Sequence, residues 1–239
     1  MVRYLVASDL HYALRQLDWI ADEAPGFDAV VLAGDLLDAA GGADLTAQIA
    51  LFTAYLRRLG ERTTVVVNSG NHDLTARRAD GEKAALWLHA IDGGVVTDGQ
   101  AVRVGDDVVS SCAWWEGDAT RAELEAQLGR DAEMDRDGLW IWAYHSPPEH
   151  SPTAWSGKRH WGDDVLNRLI ELHRPDLVLA GHVHEAPLAD GGSWHDRIGS
   201  TTILNAGRQL GPIPAHIIVD SGERTAEWWC SEGRGRIAV

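Results

Sequence analysis

The run Ala29-Val30-Val31-Leu32-Ala33, followed at once by Gly34-Asp35, constrains the fold of this chain more than any other feature. A short apolar run rich in β-branched residues is typical of a strand buried on both faces, as in a sheet covered by helices. Gly34 allows the backbone to turn sharply out of that sheet. Asp35 therefore follows a buried strand at its C-terminal end, where open α/β sheets bind their ligands. A carboxylate there needs a partner, because a charge beside an apolar core is costly unless it is paired or bound to metal.

The order strand, polar loop, helix recurs through the first ninety residues. Residues 3–7 and 63–67 are predicted strands, and each is followed by a polar loop like the one after residues 29–33. Apolar residues at helical spacing predict helices over residues 14–24 and 45–59. This alternation is typical of a parallel sheet covered by helices, with right-handed crossovers. The polar loops then emerge together at one edge of the sheet.

The remainder of the chain predicts a second group of strands and helices. The expected helices are residues 81–91, 118–135 and 165–172, and the expected strands are residues 93–97, 100–104, 107–113, 139–143, 176–180, 201–205, 215–219 and 225–230. The short strands between residues 93 and 113 are separated by turn sequences, which favours antiparallel hairpins. The content predicts an α/β fold with two parallel or mixed sheets, each with helices outside.

Length and charge restrict what such a fold can do. The chain has 239 residues and no long polar linker, so we expect residues 1–239 to form one domain. The formal net charge of −15 disfavours a nucleic-acid partner, whose phosphates are bound mainly by Lys and Arg. Cys112 and Cys230 lack metal-ligand spacing and are expected to be reduced. The chain starts directly with a strand and lacks an apolar run of ~18 residues, which predicts a cytoplasmic protein without a membrane span.

Polar side chains suited to metal binding follow five of the predicted strands. Two carboxylates, an amide oxygen and several imidazoles suit divalent transition metals such as Mn, Fe, Co, Ni or Zn. In Asp-X-His and His-X-His, alternate residues of an extended segment lie on one side, so both can face one ion. Each short pattern is weak alone, but their convergence predicts a metal site. These side chains are Asp9, His11, Asp35, Asn71, His72, His145, His182 and His184.

The same residues resemble, in order, the motif set of the calcineurin-like metallophosphoesterases. The matching segments are Asp9-X-His11, Gly34-Asp35-X-X-Asp38, Gly70-Asn71-His72-Asp73, His145 and Gly181-His182-X-His184. The resemblance implies a four-layer αββα sandwich of two mixed sheets with flanking helices. It also implies two divalent metal ions, with manganese, iron and zinc as candidates, bound between the strand ends.

The resemblance assigns a ligand set to each ion. Asp9, His11, Asp35 and His184 would bind one ion, and Asp35, Asn71, His145 and His182 the other. Asp35 would thus bridge both ions, and Asn71 would bind through its carbonyl oxygen.

His72 remains outside both ligand sets, and the resemblance implies that it assists the phosphate or the leaving group. A neighbouring carboxylate would orient it, with Asp38 as the first candidate and Asp73 as the alternative. An imidazole held by a carboxylate is favoured as the imidazolium and can act as a general acid. Two ions ~3.5–4 Å apart would bridge and deprotonate a water for an in-line attack on phosphorus.

The chain departs from the family pattern at two places, and the first of them bears on the substrate. The protein serine/threonine phosphatases carry Arg after the second Asp of Gly-Asp-X-X-Asp, whereas Ala39-Ala40 stand here. This favours the smaller bacterial-type phosphoesterases, which include cyclic-nucleotide and other phosphodiesterases. Relatives often have Gly at the position of Tyr144, directly before the histidine that corresponds to His145. Because Pro147-Pro148 still follows, His145 is kept as a candidate ligand.

The expected substrate is therefore a small phosphoester, most simply a phosphodiester. The alternatives are a phosphomonoesterase acting on a small metabolite, a nuclease, or a binding scaffold that keeps the fold without the chemistry.

Several residues near these motifs keep two interpretations. Arg208 could contact a phosphate or form a structural ion pair. Trp114-Trp115 could stack on an aromatic substrate, although such pairs more often pack in a core. His150, His160 and His195 could line a cleft or simply be solvated loop residues. The long loop over residues 146–162 is a candidate for substrate selection, since long ordered loops are often functional.

Overall fold

A computed structural model describes residues 2–239. Its helices are α1 (Leu14–Glu23), α2 (Leu45–Gly60), α3 (Asp118–Ala132) and α4 (Asp164–His173). Its strands are β1 (Arg3–Ala7), β2 (Ala29–Ala33), β3 (Thr64–Asn68), β4 (Ala76–Arg77), β5 (Lys83–Ala84), β6 (Val95–Val96), β7 (Ala101–Val104), β8 (Asp107–Ser111), β9 (Trp140–Ala143), β10 (Leu177–Ala180), β11 (His195–Ile198), β12 (Thr201–Asn205), β13 (His216–Asp220), β14 (Thr225–Cys230) and β15 (Gly233–Ala238).

The first sheet has seven strands in the order β15-β14-β13-β1-β2-β3-β6. The neighbours β1, β2, β3 and β6 are parallel, and β13, β14 and β15 extend the sheet as antiparallel strands. Every residue of β2 is buried, as its continuous apolar run predicts. The loops that follow β1, β2 and β3 therefore leave the sheet at one edge.

The second sheet has six strands in the order β11-β12-β10-β9-β8-β7. Strands β8, β9, β10 and β12 are parallel, and β7 and β11 are antiparallel edge strands. The loops after β9 and β10 carry the segments that begin at His145 and Gly181. The two sheets thus contribute separate loops to the candidate site.

Three apolar clusters define four layers. One cluster lies between the sheets and includes Tyr4 and Val31 from the first sheet and Ile141 and Leu179 from the second. A second cluster packs α1 and α2 on the outer face of the first sheet, and a third packs α3 and α4 on the outer face of the second. The order helix, sheet, sheet, helix confirms the predicted αββα sandwich.

The structure corrects two local predictions and adds edge strands that were not predicted. Residues 81–91 do not form an α-helix; they contain the short strand β5 and a 3-10 turn over Leu88–Ala90. Strand β6 does not join a hairpin in the second sheet but pairs in parallel with β3. The edge strands β11 and β15 were not predicted, because their sequences are polar or rich in Gly and Arg.

Within residues 2–239, no helix is both long enough and apolar enough to cross a membrane.

Candidate metal centre

The ends of β1, β2 and β10 place acidic and histidine side chains in tight turns. Asp9, His11, Asp35 and His182 all have positive φ angles, from 42° to 68°. Non-glycine residues rarely adopt this conformation, which costs ~1–3 kcal/mol at each position and persists where the surroundings enforce it. Such backbone strain is concentrated at functional sites, so the turns themselves point to a site at this edge.

A first group of ligand atoms combines Asp9, His11 and His184. One nitrogen or oxygen from each lies within 4.8 Å of the others. His11 Nε2 is 3.0 Å from His184 Nε2, and His184 Nε2 is 3.2 Å from Asp9 Oδ1. These atoms converge on a common point from β1 and from the loop after β10.

A second group combines Asp35, His145 and His182 at the same spacing. Asp35 Oδ2 is 3.3 Å from His145 Nε2 in this group and 3.7 Å from His11 Nε2 in the first group. Its other oxygen, Oδ1, accepts a hydrogen bond of 2.8 Å from the His72 backbone N–H. The free side of Asp35 therefore lies between the two groups, as a bridging ligand requires.

The two carboxylates are buried among histidines. Asp9 is 0% exposed and Asp35 is 2% exposed. Within the described part of the chain, the basic side chains that come within 4.0 Å of either carboxylate are all histidines. Burial is the largest single effect and raises the pKa of both carboxyls, but His145 acts with His184 at Asp9 and with His72 at Asp35 to outweigh it, so each pKa lies below its usual value. Both carboxylates are therefore ionised, and a divalent cation that replaced the His145 proton would neutralise them.

Burial keeps two of the candidate imidazoles neutral, as metal binding requires, and a third would exchange a proton for the cation. Burial lowers the pKa of His11 and of His182 to about 4, so both rings are neutral at pH 7. Burial also lowers the pKa of His145, but Asp35 and Asp9 outweigh it and raise that pKa to about 10. The two carboxylates thus favour a positive charge at the very place where Nε2 would meet an ion.

The orientation of His145 gives the most direct test of fit. Its Nδ1 lies 2.6 Å from the Ala33 carbonyl oxygen, so Nδ1 carries the hydrogen and donates it. Its Nε2 is buried and has no hydrogen-bond partner among residues 2–239. Metal-binding histidines donate their other ring N–H to a carbonyl or carboxylate in this way, which fixes the ring and its tautomer. The donor set therefore fits a divalent metal.

Asn71, His72 and Asp38 lie at the margin of these groups. Asn71 is exposed and lines the same cleft as His182. The His72 ring packs edge-on against the His11 ring with 4.6 Å between centroids, and its Nδ1 is buried without a hydrogen-bond partner in the described chain. One atom each of His11, Asp38 and His72 lies within 4.8 Å of the others. Asp38 thus lies within reach of the His72 ring, and its role as the orienting group stays a prediction.

Asp73, the alternative partner of His72, forms hydrogen bonds to backbone groups of two loops. It is fully buried, and its carboxylate accepts hydrogen bonds from the backbone N–H groups of Leu36, Leu37 and Gly70. Burial and the nearby Asp35 raise its pKa to about 7. Asp73 therefore ties the loop after β3 to the loop after β2.

Gln48 is a positioning residue that the sequence did not reveal. It is fully buried; its side-chain oxygen accepts from the Asp38 N–H at 2.8 Å, and its amide donates to the Asp38 carbonyl at 3.2 Å. The sequence feature that could have identified Gln48 is its position on the apolar face of α2, between Leu45 and Phe52.

Two clefts with different linings adjoin the candidate ligands. The first, of about 590 Å³, contains Asn71 and His182 and is lined by aromatic rings. We call it the tryptophan cleft; its rings are those of Trp114, Trp115, Tyr144, His160 and Trp161. Trp114 packs over His182 and His145, with 5.2 and 5.8 Å between ring centroids. Trp114 and Trp115 therefore line a cleft beside the candidate ligands, which favours the substrate interpretation of this pair.

The second cleft, of about 440 Å³, contains His184 and Arg208. The Arg208 backbone N–H donates to the His184 carbonyl at 3.1 Å, which places the arginine next to a candidate ligand. Within residues 2–239, its guanidinium forms no ion pair within 4.0 Å. The structural ion pair considered for Arg208 is thus absent from the described chain, and a cationic group remains free for an anion.

Residues 2–186 match the family model described as calcineurin-like phosphoesterase. This span contains every residue proposed above as a metal ligand. No curated protein matches the chain significantly.

Similar solved structures include two proteins of Thermus thermophilus. The protein TT1561 is 18% identical with a TM-score of 0.60, and the alignment covers 99% of this chain and 98% of that one. A hypothetical protein of the same organism is 14% identical with a TM-score of 0.50, and the same shares of the two chains are covered. At these identities the likeness describes the fold, and it agrees with the four layers found here.

Proposed function

Because this chain belongs to the calcineurin-like phosphoesterases, we propose that it hydrolyses a small phosphodiester at a pair of divalent metal ions. The match to the family model confirms the family that the motifs predicted. Membership and the groups of candidate ligands together support a metal-dependent phosphoesterase. The diester substrate, the two ions, and manganese, iron or zinc as their identity are our proposals.

The position of Asp35 carries the proposal of two ions. Its Oδ2 lies within 3.7 Å of imidazole nitrogens from both ligand groups, so one carboxylate can serve two ions. We propose Asp9, His11, Asp35 and His184 for one ion and Asp35, Asn71, His145 and His182 for the other. When bound, such ions make water a nucleophile near neutral pH and stabilise charge on phosphoryl oxygens.

The remaining residues position the ester and transfer a proton. Arg208 binds a phosphoryl oxygen, since a guanidinium matches the geometry of phosphate oxygens. His72 protonates the leaving oxygen, and Asp38 orients its ring. Gln48 and Asp73 keep the loops that carry Asp38 and His72 in place.

The tryptophan cleft supports a diester rather than a monoester. A monoester has only the leaving substituent, which would lie beside His72. A diester has a second substituent, which can occupy this cleft of about 590 Å³, whose lining within residues 2–239 does not include His72.

A paired assay tests this proposal. Hydrolysis of bis-p-nitrophenyl phosphate and of p-nitrophenyl phosphate is measured with Mn²⁺ added and with metal chelated, and His72→Ala serves as the inactive control. We expect metal-dependent turnover with a preference for the diester. A preference for the monoester would instead indicate a phosphomonoesterase. Absence of turnover of both esters with metal bound would leave a narrow-specificity enzyme or a binding scaffold, which a substrate or partner screen would separate.

A further inference from the structure

The tryptophan cleft connects directly to the candidate metal centre. Asn71 and His182 line it together with Trp161, which belongs to the loop after β9. A substrate whose phosphorus lies at the metal centre can therefore extend one substituent into this cleft. The shape and charge of the cleft determine what kind of substituent fits.

The cleft is held in shape before any ligand arrives. Trp115 Nε1 donates to Asp163 Oδ2 at 2.8 Å, and the Tyr144 hydroxyl donates to the same oxygen at 2.5 Å. Asp163 Oδ1 accepts from the Val165 N–H at 2.8 Å, so this carboxylate also caps α4. Rigid aromatic walls bind a planar group at a low entropic cost, because few side chains must be ordered.

Trp161 offers the exposed ring of the cleft. It is 47% exposed, although large aromatic side chains are usually well buried. The Arg159 guanidinium lies 3.4 Å from the centre of its ring, an arrangement that holds the indole by a cation–π contact. Such a ring is available to stack on a flat ligand.

The charges of the cleft favour a neutral substituent. Its lining includes Glu116, Asp163 and Asp164, and among the described residues it includes no Lys or Arg. Two cations are held by other groups, Lys83 at 3.7 Å from Glu116 and Arg159 on the Trp161 ring. A second phosphate or another anionic group would therefore meet acidic residues and no lining cation. An uncharged aromatic ring would meet the tryptophans without this penalty.

The position of His72 indicates which substituent enters. Within the described chain, the cleft lining does not include His11, Asp38 or His72. The leaving oxygen must lie next to the proposed acid, His72, and therefore outside this cleft. The substituent in the cleft is then the one that stays on phosphorus.

We propose that the tryptophan cleft binds the retained arm of the phosphodiester, and that this arm is an uncharged, planar aromatic group. Trp161 determines the preference by stacking on that arm. This inference rests on the proposed function.

Two esters with the same leaving group test the proposal. Phenyl p-nitrophenyl phosphate and methyl p-nitrophenyl phosphate both release p-nitrophenol, and they differ only in the retained arm. We expect the wild-type kcat/KM to favour the phenyl ester by about 5- to 100-fold, the range that one stacked ring contributes. Trp161→Ala should reduce this ratio to about 2 or less, and Trp161→Phe should restore most of it.

The matched control is Trp229→Ala, which removes another exposed tryptophan, on β14 and outside the cleft lining. Its ratio should equal that of the wild type. A wild-type ratio near 1, or an equal loss on both esters in Trp161→Ala, would overturn the proposal.

A binding measurement separates this proposal from the proposed function. The affinity of the Mn²⁺-loaded protein for diphenyl phosphate and for dimethyl phosphate is measured by calorimetry, which requires no turnover. If neither p-nitrophenyl ester is hydrolysed, the proposed function fails. Tighter binding of diphenyl phosphate that is lost in Trp161→Ala would still support the aromatic cleft, whereas equal affinities would overturn it.

Discussion

At the scale of single residues, His72 differs from the candidate ligands that surround it. Its backbone N–H donates to Asp35, while its ring packs edge-on against His11 and belongs to neither proposed ligand set. A group in this place can move a proton without holding an ion. The separation of these roles can be measured.

Replacing His72 should reduce turnover without removing metal. We expect His72→Ala to lower kcat by about 10²- to 10⁴-fold, the usual contribution of a general acid. The metal content, measured by plasma mass spectrometry, should equal that of the wild type. Unchanged kcat would exclude His72 from the mechanism, and loss of metal would make it a ligand.

Asp73 and Asp38 should respond differently to substitution. Asp73→Ala leaves three buried backbone N–H groups without their acceptor, and each costs ~1–3 kcal/mol, so the free energy of unfolding should fall by ~3 kcal/mol or more. Asp38→Ala removes a half-buried side chain and should lower kcat with a smaller loss of stability. Urea denaturation and kinetics of both variants distinguish the roles. A stable Asp73→Ala protein with low kcat would make Asp73 the partner of His72.

Asp98 provides a test of stability against pH. Burial raises its pKa to about 6 in the folded protein, from 3.8 in an unfolded chain, although the Ser69 hydrogen bonds oppose this. Between these values the folded state holds a proton that the unfolded state has released, so the free energy of unfolding falls as pH rises. At 1.36 kcal/mol per unit, the loss is up to about 3 kcal/mol between pH 4 and 7.

Asp98→Asn removes this titration but keeps the oxygen that accepts from Ser69. The stability of the variant relative to the wild type should therefore rise by up to about 3 kcal/mol from pH 4 to pH 7. Urea denaturation of both chelated proteins across this range measures the difference. A constant difference would mean that Asp98 titrates normally in the folded protein.

At the scale of secondary-structure elements, close contact between the loops after β2 and β3 depends on Gly70. A Cβ added at Gly70 would lie 2.6 Å from the Asp35 backbone nitrogen and nearer still to its carboxylate. Neither group can move away easily, because the Asp35 carboxylate accepts a hydrogen bond from the His72 N–H and its backbone belongs to the same tight turn. The two loops can thus approach only because this residue has no side chain.

Gly70→Ala should therefore weaken metal binding and stability together. We expect an overpacking cost of ~1–3 kcal/mol in the free energy of unfolding and a clear loss of Mn²⁺ affinity by calorimetry. Gly42→Ala is the matched control, since a Cβ there meets nothing within 4 Å. Equal behaviour of the two variants would show that the loops can separate without harm.

The elements also show what the sequence could and could not predict. Strand β2 coincides with its predicted span. A short run of apolar, β-branched residues is typical of a strand that is buried on both faces, and every residue of β2 is buried. Residues 81–91 carry apolar side chains at helical spacing, yet Lys83 and Ala84 pair with β4, since tertiary contacts override a weak local preference. The candidate ligands could be predicted from motifs after strands. Gln48, Asp98 and Asp163 could not, because their hydrogen-bond partners are distant in the sequence.

At the scale of the whole molecule, the candidate centre lies across the two sheets. Asp9 and Asp35 follow strands of the first sheet, whereas His145 and His182 follow strands of the second. The apolar layer between the sheets fixes their separation and hence the spacing of the ligand atoms. Metal binding would thus join the two halves of the sandwich, with Asp35 as the shared ligand.

The number of metal ions bound per chain is the direct test of a two-metal centre bridged by Asp35. The protein is loaded with Mn²⁺, freed of unbound metal and analysed by plasma mass spectrometry, together with Asp35→Ala and the surface control Asp118→Ala, whose side chain is 95% exposed. We predict two ions per chain for the wild type and for the control, and far less than one for Asp35→Ala. One ion or none in the wild type, or two ions retained by Asp35→Ala, would contradict a two-metal centre bridged by Asp35.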